Sequence, residues 1–175
     1  MKRTLGAAAL TWMLGTSAVS AQSEATFRDQ IMGHFQQSSA KFTMLAEAMP
    51  ASAYAWSPGA GVMEVGQVYM HVARYNFMYL QDNLGIPAPA DVDLATMETI
   101  RDKAEVQKLL IRSIEHVKRA TLDMSATELG ETTTLYGQTV PAWAVLMQLV
   151  AHMNEHLGQS IAYARMNGVV PPWSG

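Results

Sequence analysis

The chain has 175 residues, a formal charge of -3, 49% hydrophobic and 15% charged residues, and no cysteine. That is one domain with a sizeable core and the composition of a packed protein rather than a disordered one. It excludes a disulfide scaffold, thiolate-held metal sites and a cysteine nucleophile, and the lack of a basic stripe argues against nucleic acid as a partner.

Lys2 and Arg3 precede a short apolar run over residues 5–14, and Val19, Ser20 and Ala21 place small residues where a signal peptidase reads. The run is about half the length a membrane span needs, so residues 1–21 are expected to be a signal peptide, cleaved after Ala21. The mature chain, 22–175, is then exported, periplasmic or secreted, with no membrane anchor after cleavage. Its partners are expected to be a small molecule or a second copy of the chain.

Four helices are predicted. The first runs over about 23–49, with Phe27, Ile31, Phe35, Ser38, Phe42, Leu45 and Met49 on one face and Pro50 as its stop. The second covers about 63–84, with Val65, Val68, Val72, Asn76 and Tyr79 inward and Gly85 as its C-terminal cap. The third covers about 97–121, with Val106, Leu110, Ile114 and Val117 inward. The fourth starts near Pro141 and buries Leu146, Val150, Met153, Leu157, Ile161 and Ala164 before Asn167 and Gly168 close it. Residues 131–140, β-branched around a glycine, read as a small hairpin. Trp143 and Tyr163 read as core. The fold class is all-α, a four-helix bundle. The irregular stretch 85–96 is long enough to run the length of the bundle and leave helices two and three parallel.

The chemistry lies in the histidines: His34, His71, His116, His152 and His156. His152 and His156, four apart, share a helix face with Cβ atoms about 5–6 Å apart, a spacing at which two imidazoles can share one metal. No lysine or arginine stands between Leu122 and Ala164 to oppose a cation. His71 lies one position from the inward Val72. Spacing leaves it either a core-edge histidine bonded to a carbonyl or a third ligand across the bundle. Three protein ligands are the count of a catalytic or substrate-binding metal rather than a closed structural one. His116, among Glu115, Lys118 and Arg119, reads as a surface residue, and His34 flanks the core face of helix one. Residues 152–156 also match the H-x-x-E-H zinc-protease pattern, but no acidic ligand follows His156, and Glu155 points away from the histidines.

The run His152, Met153, Asn154, Glu155, His156, Leu157, Gly158, Gln159, followed by Ala162, Tyr163, Ala164, Arg165 and by Gly168, Val169, Val170, Pro171, Pro172, resembles the C-terminal helix of the DinB/YfiT-like family. Trp56, Ser57 and Pro58, then residues 66–71 ending in His71, are similar to that family's second-helix signature. The resemblance covers about residues 27–172. It implies an up-down-down-up bundle and a divalent metal, zinc or nickel, held by His71, His152 and His156. It also implies a metal-dependent transferase or hydrolase, since characterised relatives include low-molecular-weight thiol transferases and a mycothiol-dependent isomerase. Those enzymes work in the cytoplasm, and an exported chain departs from them. The alternative is a metal- or ligand-binding module without turnover. Gln159 and Tyr75 are the expected residues around the metal, and Glu64 is a further acid/base candidate.

Overall fold

The computed structural model describes residues 13–122 and 124–174, with side chains from residue 26 onward. The predicted signal peptide lies largely outside the described residues: nothing is described of 1–12, and 13–25 are described only as helical backbone. In chain order the elements are α1 (Met13–Ala48), α2 (Val65–Leu84), α3 (Lys103–Leu122), a short α4 (Ala126–Gly130), β1 (Thr132–Leu135), β2 (Gln138–Pro141) and α5 (Trp143–Met166). Among the described residues, no helix is long and apolar enough to cross a membrane.

Side-chain contacts between the helices fix their directions. Lys103, at the start of α3, donates to the carbonyls of Glu47 and Met49 at the end of α1, so these two helices are antiparallel. Arg101, just before α3, pairs with Glu64, just before α2, and Asn76 donates to Ser113 at 3.0 Å halfway along both, so α2 and α3 are parallel. Phe27 meets Trp143 near the start of α5, and Ser38 donates to Asn154 at 2.9 Å eleven residues further along each helix, so α1 and α5 are parallel. The course is up-down-down-up, and residues 85–102 make the long crossover that two parallel neighbours require.

Local chemistry sets the ends. Pro50 is extended (φ -65°, ψ 147°) and stops α1. Gly85 takes φ +67°, the left-handed conformation in which a residue without Cβ costs least, and its N–H caps the carbonyl of Leu80. The third helix begins at Lys103 rather than near residue 97: Met97–Thr99 forms a separate 3-10 turn, Ile100 is extended, and Asp102 caps the N–H of Glu105 at 3.0 Å. The fourth long helix begins at Trp143 because Pro141 is still paired with Thr132 in the hairpin. The hairpin turns through Tyr136 (φ +51°) and Gly137 (φ +75°), the two left-handed residues of a tight mirror-image turn. For a tyrosine that conformation costs on the order of 1–2 kcal/mol. The short α4 was not expected, although its capping box is written in the sequence as Ser125 and Glu128, whose hydroxyl, carboxylate and backbone N–H groups bond reciprocally.

The core holds most of the predicted faces: Ile31, Phe35, Phe42, Leu45, Val68, Val72, Leu110, Ile114, Met153 and Leu157 are all buried. Phe27 and Trp143 are corrections. They are 42% and 38% exposed and stack edge to face on each other, 5.4 Å between centroids, beside the core rather than in it. Val150 and Ile161 are only half-buried, at the edge of the α5 face.

Candidate metal centre

Antiparallel α2 and α5 face each other through one seam, and the histidines meet in its middle. His152 and His156 stand one turn apart on α5, and His71 comes from α2 opposite them. One ring nitrogen of each lies within 4.8 Å of the others. The ring centroids are 5.1 Å apart for His71 and His152, 4.8 Å for His71 and His156, and 4.6 Å for His152 and His156. His152 and His156 are buried and His71 is half-buried. Of the two roles that spacing left open for His71, the structure shows a ring turned into the cluster and bonded outward to a carboxylate rather than to a backbone carbonyl.

The outer nitrogens fix the tautomers. His71 Nδ1 lies 3.0 Å from Glu98 Oε1, and an ionised carboxylate only accepts, so Nδ1 carries the proton. His156 Nδ1 lies 2.8 Å from Gln159 Oε1, and Gln159 in turn donates its amide to the Tyr163 hydroxyl at 2.9 Å, which orients the amide with its oxygen towards the ring. In both rings Nε2 is then the nitrogen available to a metal. This is the arrangement by which metal-ligating histidines are held and made more basic. Glu98 is itself held by Arg74 at 3.3 Å, and Arg74 donates to the carbonyl of Leu94 at 2.9 Å.

Burial favours the neutral form at His152 and His71. The pKa of His152 is pushed down to about 3, first by loss of water and then by the neighbouring His156 and His71. That of His71 is also lowered, because burial outweighs the pull of Glu98 towards the charged form. Neutral imidazoles crowded together are the form a cation needs and the form that protons oppose.

The other candidates divide. Tyr75 packs against the cluster, 4.5 Å from the His71 ring and 4.8 Å from that of His152. Glu64 does not reach it: it precedes His71 by seven residues, about 10 Å along a helix, and is ion-paired with Arg101. His34 is exposed on α1 and Glu155 is exposed on α5. His116 is a correction. It is half-buried, its ring 5.2 Å from Phe77, with Nε2 enclosed and without a hydrogen-bond partner, and burial lowers its pKa. Sequence reasoning missed Glu98, which lies in the irregular crossover where no periodicity marks a residue. It also missed Tyr79, whose ring is 5.8 Å from His152 and which had been read only as core.

Volume points elsewhere. A cavity of about 380 Å³ opens between α1 and α3, lined among others by Met44, Glu47, Gln107 and Ile111. Its walls bring no group of titratable or metal-ligating side chains together, and the three histidines are the chemically distinctive cluster.

The comparisons agree with the fold. No curated protein matches the chain. A DinB-like protein from Bacillus cereus has a similar solved structure, with TM-score 0.72 at 14% sequence identity over 82% of this chain and 95% of that one. A DinB-like protein from Bacillus subtilis is similar with TM-score 0.63 at 18% identity, over 79% of this chain and 92% of that one. These likenesses concern the fold. The sequence model of the DinB superfamily matches residues 34–160, a span that contains both halves of the histidine cluster, and the chain belongs to that superfamily.

Proposed function

We propose that His71, His152 and His156 together hold one divalent metal ion, zinc or nickel, and that the protein is a metal-dependent transferase or hydrolase acting outside the cytoplasm. The observation that carries this reading is the cluster itself: three imidazoles with ring nitrogens within 4.8 Å, two of them held through Nδ1 by Glu98 and Gln159. The donor set fits the group. All three ligands are nitrogen, the type zinc and nickel accept, and three is the count that leaves a position for substrate.

A divalent ion there supplies a Lewis acid that polarises an oxygen or sulfur of the substrate. The chain's own residues do the rest. Glu98 and Gln159 hold two rings in the required tautomer, and Tyr75 and Tyr79 line the seam beside them and limit water. Export is supported by Lys2, Arg3, the apolar run and the small residues at Ala21. Intact mass of the mature protein tests it: a chain starting at Gln22 is expected, and a full-length chain recovered from the cytosol would contradict it.

The reading of a metal-binding module without turnover has one observation in its favour. The carboxylate nearest the cluster, Glu98, is already engaged by His71 and Arg74, so it is not a free acid or base. A screen of thiol transfer and hydrolysis with zinc- and nickel-loaded protein separates the two. Turnover lost in His152→Ala supports the enzyme. Metal bound with no turnover on any substrate class supports the module.

A further inference from the structure

The seam between α2 and α5 does not end at the histidines. Because the helices are antiparallel, facing residues step in opposite directions along the chain: His71 faces His156, Tyr75 faces His152, and Tyr79 faces Gln148. On this last rung Gln148 donates its amide to the Tyr79 hydroxyl at 3.3 Å. The same hydroxyl is bonded to that of Tyr136, which reaches in from the tip of the hairpin.

Tyr136 is an unusual residue for that tip. It sits at φ +51°, where glycine or asparagine would relieve the backbone. Its side chain is 68% exposed, so burial of the ring does not compensate for the strain. Strain at an exposed aromatic whose hydroxyl is aimed into a seam beside a metal-type cluster is the pattern of a ligand-contacting residue.

We propose that Tyr136, with Tyr79 and Gln148 beneath it, forms a substrate subsite one helical turn from His152, and that this subsite selects an uncharged hydrogen-bonding group such as an amide. Its three polar groups are two phenols and one amide, all neutral. A phenol is protonated at neutral pH, so the Tyr79 hydroxyl can both donate and accept. The nearby cation, Arg74, packs over the Tyr75 ring at 5.5 Å and is held by Leu94 and by Glu98, whose carboxylate offsets its charge. Among the described side chains no unpaired cation faces the subsite, so attraction of an ionised group would come only from the metal one turn away, and the anchoring hydroxamate offsets part of that charge.

The proposal rests on the metal reading above, and the test keeps the two apart. Zinc is first titrated alone into wild type, Tyr79→Phe, Tyr136→Phe and Tyr136→Gly. Two probes that anchor on zinc through a hydroxamate, 4-carbamoylbenzohydroxamate and 4-carboxybenzohydroxamate, are then titrated into the loaded proteins. Wild type is expected to prefer the carbamoyl probe by about tenfold, the scale of one good hydrogen bond. Tyr79→Phe and Tyr136→Phe are expected to erase the preference, and Tyr136→Phe, at the hairpin tip, to do so while binding zinc as wild type does. Tyr136→Gly should erase it too, because the phenol is gone while the turn keeps its left-handed residue. Equal affinity for the two probes in wild type, or a preference that survives in both phenylalanine variants, would overturn the subsite while leaving the metal site standing. Failure of zinc to bind wild type would overturn both.

Discussion

The bundle has two contrasting seams. Between α1 and α3 lies the cavity of about 380 Å³, with exposed Met44 and Ile111 at its rim and Leu110, Glu47 and Gln107 among its walls. Between α2 and α5 runs a row of histidine and tyrosine rings, of which His71, His156 and Tyr79 are bonded to Glu98, Gln159, and Gln148 with Tyr136. Empty volume marks where packing is loose; converging polar groups with fixed tautomers and lowered pKa mark where chemistry is built. Each seam can be perturbed without the other, and the contrast can be broken by experiment.

The largest effect is expected from the ligands. Replacing His71, His152 or His156 singly by Ala should abolish tight zinc binding in titration calorimetry, leaving only weak coordination by the two imidazoles that remain. His116→Ala should leave it intact, since that ring faces Phe77 on the other side of α2.

A core truncation at the other seam should do the reverse. Leu110, fully buried and lining the α1–α3 cavity, should cost about 2–5 kcal/mol of stability as Leu110→Ala, because the new void adds to the old one. Zinc affinity of the folded variant should stay within about twofold of wild type, as expected for sites without shared partners. Chemical denaturation and calorimetry on the same sample read both quantities. A large loss of affinity here would erase the distinction between the seams.

Glu98→Gln and Gln159→Ala sharpen the contrast. Each should weaken zinc binding by about 10–100-fold without abolishing it, because each removes the acceptor that fixes a ligand's tautomer and orientation. An affinity equal to wild type in both would mean that these bonds are only structural.

The smallest effect per step is that of pH on the metal-free protein in chelator. His152 is held neutral down to about pH 3 in the folded state, whereas in the unfolded chain it takes a proton below about 6.5. The unfolded state therefore binds more protons in that window. Stability is intact above about 6.5 and falls with pH below it, by about 1.4 kcal/mol per pH unit for each histidine kept neutral. His71 and His116 shift in the same direction. Denaturation midpoints between pH 7 and 5 measure this, and His152→Ala should flatten the slope.

Much of this was legible in the sequence, and the failures have physical reasons. The 3.6-residue period of Ile31, Phe35 and Phe42 marks a buried face, but it cannot say where along a helix the bundle ends, which is why Phe27 was read as core. The four-residue step from His152 to His156 fixes two imidazoles on one face of any helix. His71 needed the family resemblance, because only packing decides what faces it across the seam. Glu98 and Tyr136 lie in a crossover and a hairpin tip, where side-chain placement follows from tertiary contacts and not from any local period. Glu64 looked available until Arg101, thirty-seven residues later, took it up. His116 looked solvated because its neighbours Glu115 and Arg119 are charged, yet its ring lies against Phe77 from the adjacent helix.

The central claim is that one metal is held by three imidazoles drawn from two helices. X-ray absorption at the zinc edge of the loaded protein tests it most directly. Three nitrogen scatterers with an imidazole signature at about 2.0–2.1 Å are predicted, falling to two in His71→Ala with zinc supplied in excess. A wild-type spectrum with two or fewer imidazoles, or one unchanged by His71→Ala, would contradict it.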